Sequence, residues 1–212
     1  MVAGGSGRRF GGRKQFLQLA GRPVASWSVA AARPVSDGVV LVVPDGDEGP
    51  GADVDSCGAD TVVTGGQARA DSVRAGLSAV PEEAGVIVVH DAARPLAPPS
   101  LFTAVVEAVR TGTAVCAIPV LPVADTLKRT AGGLVTATVD RDGLVAVQTP
   151  QAFAADVLRR AHRDGGVTTD DAGLVEQLGL PVQTVPGDPR NLKLTRPDDL
   201  DLAEALLAGV DR

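Results

Sequence analysis

Three short apolar runs constrain this chain more than any other feature: "GVVLVVP" (38–44), "GVIVVHD" (85–91) and "AVCAIPV" (114–120). A strand with no polar side has no face to give to water, so each run predicts a strand covered on both sides. The covers are present between the runs. "QARADSVRAGLSAV" puts Val73, Leu77 and Val80 on one helical stripe, with Arg69 and Arg74 elsewhere, and "SLFTAVVEAVRTG" reads as a helix closed by Gly112. Short apolar runs alternating with helices predict an α/β fold with a doubly wound, mostly parallel, Rossmann-like sheet. With 212 residues, 44% hydrophobic and 22% charged, the chain can build one sizeable core, and residues 1–212 are expected to form a single domain.

The rhythm breaks between about residues 120 and 153. "DTLKRTAGGLVTATVDRDGLVAVQTPQAF" holds two turn signals, Gly132-Gly133 and Asp142-Gly143, between short β-prone runs. This predicts a protruding β arm, too thin to bury its own apolar face and therefore packed on another chain. Two helical stretches then lead to "VQTVPG" and "NLKLT". A last helix is expected from "PDDLDLAEALL", where Pro197 fits the first turn and the aspartates favour the positive end of the helix dipole. "PDGDEGPGADVDSCGAD" (44–60) reads as a surface loop.

The net charge of -6 argues against general affinity for nucleic acid or anionic membrane, and one Trp with no Tyr removes the aromatic platforms of single-strand binding. No apolar run approaches the ~18 residues a bilayer span needs, and no leader pattern opens the chain, so a cytoplasmic protein is expected. Cys57 and Cys116 lack metal-ligand spacing, and His90 and His162 are too few and too far apart for a zinc site.

Ligands of doubly wound sheets sit beyond the carboxyl ends of the strands, so the residues after each apolar run are the candidates. They are Gly4, Gly5, Ser6, Gly7, Arg8 and Arg9, then Gly65, Gly66 and Gln67, then Asp91 and Arg94, and finally Lys193. Glycines let backbone N–H groups turn around an oligophosphate while Arg and Lys neutralise it. "GGSGRR" matches neither the P-loop nor the dinucleotide fingerprint, and alone it leaves a phosphate cradle and an exposed basic terminus both open. Lys14 is placed to fold back over phosphates, although a solvated lysine at a helix start would look the same. Asp91 ends an apolar strand, where a carboxylate suits Mg²⁺ shared with nucleotide phosphates; a turn-capping aspartate is the plainer reading. Arg94 in "HDAARP" favours the functional one.

Six ordered blocks, "AGGSGRRFGGRKQFLQLAGRPV", "GGQARADSVRAGL", "VVHDAARPL", "IPVLPVADTLKR", "DRDGLVAVQTPQAF" and "RNLKLTRPDDLDLAEALL", resemble the 2-C-methyl-D-erythritol 4-phosphate cytidylyltransferase family. The resemblance covers essentially the whole chain. It implies a nucleotidyltransferase that joins CTP to a polyol phosphate, releases pyrophosphate, uses Mg²⁺ and works as a homodimer through the arm. It implies Arg9, Lys14 and Lys193 as catalytic cations. Gly4, Gly5, Ser6, Gly7, Gly66 and Ser72 would hold CTP, and Asp91 the metal. Arg94, Thr126, Arg141 and Thr149 would bind the sugar phosphate, with Arg141 reaching the partner's site. A ribitol 5-phosphate cytidylyltransferase shares the loop, "QTPQ" and "NLKLT", and a non-catalytic nucleotide-binding module is the alternative of a different class. Two departures stand out: Arg13 occupies the place of the family's usual proline, and "MVA" is shorter than its usual first strand, which leaves open a start upstream of Met1 or a strand that is itself short.

Overall fold

The computed structural model describes residues 1–3, 14–44, 57–164, 166 and 168–209. Gly4, Gly5, Ser6, Gly7 and Arg9 lie outside the described residues, as do the side chain of Lys14 and most of the 44–60 loop.

Lys14–Phe16 forms a single 3-10 turn leading into a small antiparallel ribbon, β1 (Gln18–Leu19) and β2 (Arg22–Pro23). Its turn needs Ala20 and Gly21 at φ 47° and 75°. Helix α1 (Val24–Ala32) follows, and the Trp27 indole on it donates to the Leu19 carbonyl at 2.9 Å.

The apolar runs become β3 (Val40–Val43), β5 (Val86–Val89) and β6 (Cys116–Pro122). Strand β4 (Thr61–Thr64), which the sequence reading left unassigned, pairs parallel to β3. The three residues "MVA" insert between β3 and β5. Val2 donates to the His90 carbonyl at 2.8 Å and Ala92 to Val2 at 2.9 Å, while Ala3 donates to Val42 at 2.8 Å and Val42 to Met1 at 2.9 Å. Short as it is, the segment makes ladder bonds on both sides, and its two parallel bridges link the β3–β4 pair to the remaining strands.

Those strands run in the order β11 (Gln183–Pro186), β6, β10 (Gln151–Ala154), β5. Strand β10 is antiparallel to both neighbours, whereas β11 is parallel to β6. The sheet is therefore mixed, because the chain leaving the arm re-enters between β5 and β6 from the opposite end. "NLKLT" forms no strand; it runs past the turn that follows β5, with the Leu194 amide donating to the Ala93 carbonyl at 2.8 Å.

Helices cover both faces. Ile87, Val89, Ile118 and Phe153 pack with Val73 of α2 (Arg69–Ser78), Val157 and Leu158 of α4 (Ala155–Asp164), and Leu174 and Val175 of α5 (Ala172–Gln177). On the other face Ala117 and Ala152 meet Val105 and Val109 of α3 (Pro99–Arg110), whose Phe102 packs on Val29. The last helix, α6 (Asp198–Ala208), joins a cluster of Leu19, Val24, Leu194 and Ala203, tying the segment after Lys14 to the segment around Lys193.

Between β6 and β10 the chain forms the hairpin β7 (Leu127–Ala131) and β8 (Leu134–Val139), then β9 (Val145–Val147) on β6. Gly132 and Gly133, at φ 56° and 79°, make the two-residue turn. Among the described residues β7 and β8 pair only with each other, and Leu134 and Val135 stand 74% and 62% exposed. Also among the described residues, no helix is long and apolar enough to cross a membrane.

Candidate active site

A cleft of about 750 Å³ opens beyond the ends of β5 and β6, with Arg69, Asp91, Arg94, Thr149, Asp170 and Lys193 in its wall. Lys193 reaches Asp91 across 102 residues of sequence, Nζ to Oδ2 at 2.6 Å. Burial alone would raise the Asp91 pKa, but Lys193 and Arg69 overcome it and hold the carboxyl at about 2, so it is ionised at neutral pH.

The backbone of Asp91 is fixed as firmly as its charge. Its amide donates to the Thr149 hydroxyl at 3.0 Å, and that hydroxyl lies 3.1 Å from Nδ1 of the buried His90. The Arg94 carbonyl can only accept, so Nε2–H donates to it at 3.3 Å, and in the neutral ring Nδ1 accepts the Thr149 hydroxyl proton. Burial pushes His90 down to about 3, so the ring is neutral and serves as a spacer between Thr149 and Arg94. The Arg94 guanidinium donates to the Asn191 carbonyl at 2.7 Å, and the Asn191 amide to the Thr149 carbonyl at 2.9 Å. Gln148 completes the brace, donating to the Asp188 carbonyl at 2.9 Å. Strand β5, the turn before β10 and the segment after β11 are thus held in one network around Asp91.

Of the residues predicted from sequence, Asp91, Arg94, Thr149 and Lys193 all line this cleft. Gly66 and Ser72 stand at the head of α2, whose first residue Arg69 enters it. Ser72 is buried and its hydroxyl donates to the carbonyls of Gly66 and Ala68, both at 3.3 Å, so it shapes the turn rather than presenting a free hydroxyl. Gly66 is required by close packing: a Cβ there would lie 2.2 Å from that of Asp71. Thr126 and Arg141 are exposed at the arm and do not line the cleft; the Arg141 guanidinium contacts the Ala124 carbonyl. Sequence reasoning missed Arg69, Asp171, Gln148 and Asn191. "QARADS" contained Arg69, but as a polar residue off the helix stripe it carried no signal of its own.

Residues 1–209 match the family described as IspD: 2-C-methyl-D-erythritol 4-phosphate cytidylyltransferase. The chain belongs to this family. Among the 2-C-methyl-D-erythritol 4-phosphate cytidylyltransferases, that of Nocardia farcinica is 47% identical to it over 211 residues, spanning 97% of this chain and 91% of the relative. That of Deinococcus radiodurans is 46% identical over 215 residues, 99% of this chain and 88% of the relative. The crystal structure of the cytidylyltransferase from Thermus thermophilus matches with a TM-score of 0.82 at 38% identity, covering 97% of this chain and 96% of that one.

Proposed function

We propose that this cleft joins CTP to 2-C-methyl-D-erythritol 4-phosphate, giving 4-diphosphocytidyl-2-C-methyl-D-erythritol and pyrophosphate. A 4-phosphate oxygen of the sugar phosphate attacks the α-phosphorus of CTP in line. The new P–O bond forms as the bond from the α-phosphorus to the bridging oxygen breaks, and pyrophosphate leaves with that electron pair. The nucleophile is already an anion, so no general base is needed, and the barrier is mainly the approach of two negative groups. The observation that carries this reading is the meeting of Lys193, Arg94 and Asp91 in one cleft of a chain of net charge -6: cations gathered at one place in an acidic protein suit an anionic substrate pair.

In this reading Gly4, Gly5, Ser6 and Gly7 line the triphosphate, Arg9 and Lys14 stabilise the α-phosphate and the departing pyrophosphate, and Lys193 lies against the reacting phosphates. Gly66 and the turn braced by Ser72 receive the cytosine and ribose. Arg94 and Thr149 hold the sugar phosphate. Asp91 fits a magnesium ion by its chemistry: a single ionised carboxylate at the cleft wall, with no group of three or more metal-ligating side chains among the described residues, suits an ion that takes its other ligands from phosphates and water. Bound there, the ion would neutralise phosphate charge.

We further read residues 1–212 as one nucleotidyltransferase domain with a doubly wound, Rossmann-like layer, and the segment at about 120–153 as an arm that docks on a second copy. The exposed Leu134 and Val135 support docking, and Thr126 and Arg141, which are not in the wall of their own chain's cleft, are then delivered to the partner's. The purified protein incubated with CTP, Mg²⁺ and one polyol phosphate at a time tests the activity. Pyrophosphate release with the methylerythritol phosphate is expected. Release with ribitol 5-phosphate alone would reassign the substrate, and release with neither would leave a nucleotide-binding module.

A further inference from the structure

We propose that Arg69 is a positioning residue for the transfer: its guanidinium fork, anchored on the buried carboxylate of Asp171, fixes the orientation of the Asp91 carboxylate in the cleft. The inference rests on the cytidylyltransferase reading of the site.

The fork is divided between two acids. One nitrogen lies 2.7 Å from Asp171 Oδ2 and the other 3.5 Å from Asp91 Oδ1. A pair serving stability alone would be expected to place both nitrogens on one carboxylate, the bidentate arrangement that guanidinium geometry favours. Here the fork is split instead: Asp171 Oδ1 faces His162 Nε2 at 2.9 Å, and the second guanidinium nitrogen turns to Asp91. Asp171 is 1% exposed and cannot rotate to solvent, so Arg69 is held from behind and presents its free edge to Asp91.

Asp91 in turn is held on opposite oxygens by different cations, Oδ2 by Lys193 and Oδ1 by Arg69. The two cations are not equivalent. The Lys193 side chain is 40% exposed on a flexible stem, and a phosphate entering the cleft competes for its ammonium; Arg69 is committed to Asp171 and stays. Once Lys193 turns to substrate, Arg69 is the cation that still orients Asp91. Its position in the chain adds a second effect. Arg69 opens α2 three positions beyond Gly66, and Asp171 directly follows Thr168, Thr169 and Asp170 of the cleft wall. The bridge therefore sets the distance between the turn assigned to the nucleotide and the strand end carrying Asp91.

Arg69→Lys keeps the charge and removes the fork, since one ammonium cannot span both carboxylates. We expect kcat to fall on the order of 10²-fold, the scale of an ångström-level misplacement, with KM for CTP within about threefold of wild type. Asp171→Asn, which removes the anchor and leaves Arg69 in place, should give a loss of the same kind. Because the two act through one bridge, the double variant should be no worse than the poorer single one. Crystals of the ligand-free Arg69→Lys protein should show the Asp91 carboxylate rotated from its present plane. A folded Arg69→Lys enzyme with kcat within about twofold of wild type, or a loss lying entirely in KM for CTP, overturns the proposal; so does an Asp171→Asn enzyme of undiminished kcat. If Arg69→Lys does not fold, Asp171→Asn decides by the same criteria. Wild-type pyrophosphate release, measured alongside, separates failure of this inference from failure of the assigned activity.

Discussion

The Asp91 carboxylate shows how much of this site depends on single atoms. It keeps its charge in a buried setting because Lys193 and Arg69 face opposite oxygens, and its backbone is set by the Thr149 hydroxyl. Lys193→Ala removes one of those cations together with a phosphate contact. We expect kcat to fall by about 10²–10³-fold, the scale of losing one preorganised charge-stabilising group. Because Lys193 is the foremost cation keeping the buried Asp91 carboxyl ionised, the melting temperature should also fall by a few degrees at neutral pH; steady-state kinetics and a thermal melt on one sample check both. Gly66 is constrained by space rather than charge. In Gly66→Ala the new methyl would meet Asp71 at 2.2 Å, so the turn ahead of α2 must shift. KM for CTP should then rise about tenfold, near 1.4 kcal/mol and within the usual range for an overpacked position. An unchanged KM would show that the turn does not contact the nucleotide.

At the scale of elements, β3, β5 and β6 were legible because a strand covered on both faces needs continuous apolar sequence, and the Gly132-Gly133 turn because two consecutive left-handed residues call for glycine. Strand β10 was not legible. "QAFA" has no β-branched residue and follows a proline turn, so its place between β5 and β6 depends on long-range pairing that no local pattern encodes. The site divided along the same line. Asp91 and Lys193 stood out as charges at the ends of apolar or β-prone runs, whereas Arg69 and Asp171 acquire their meaning only when α2 and α5 meet. Among the described residues the hairpin of β7 and β8 makes no other strand pairing, and it exposes Leu134 and Val135, so its loss should spare the core. Replacing residues 128–138 with two glycines is expected to leave the melting temperature within a few degrees of wild type, turn the proposed dimer into a monomer in sedimentation analysis, and abolish turnover. An active monomer would refute the shared site.

The whole molecule should respond to acid through two buried groups of opposite kind. His90 is held neutral at about 3 against 6.5 when unfolded, so between those values the unfolded chain binds the extra proton and stability falls as pH falls. Asp91, at about 2 against 3.8, contributes stability that is complete above 3.8 and lost as pH drops toward 2. The stability of the ligand-free protein should therefore begin to decline below pH 6.5, by no more than about 1.4 kcal/mol per pH unit from His90, and its melting temperature with it. His90→Gln should flatten that first phase and leave the lower one. These same groups build the cleft, so the fold's acid sensitivity and its proposed chemistry share one strand end. A crystal structure with CTP and Mg²⁺ tests that assignment most directly. The account predicts the triphosphate between Lys193 and the ion at Asp91, with the cytosine against Gly66; a nucleotide bound elsewhere, with the Lys193–Asp91 pair still closed, would contradict it.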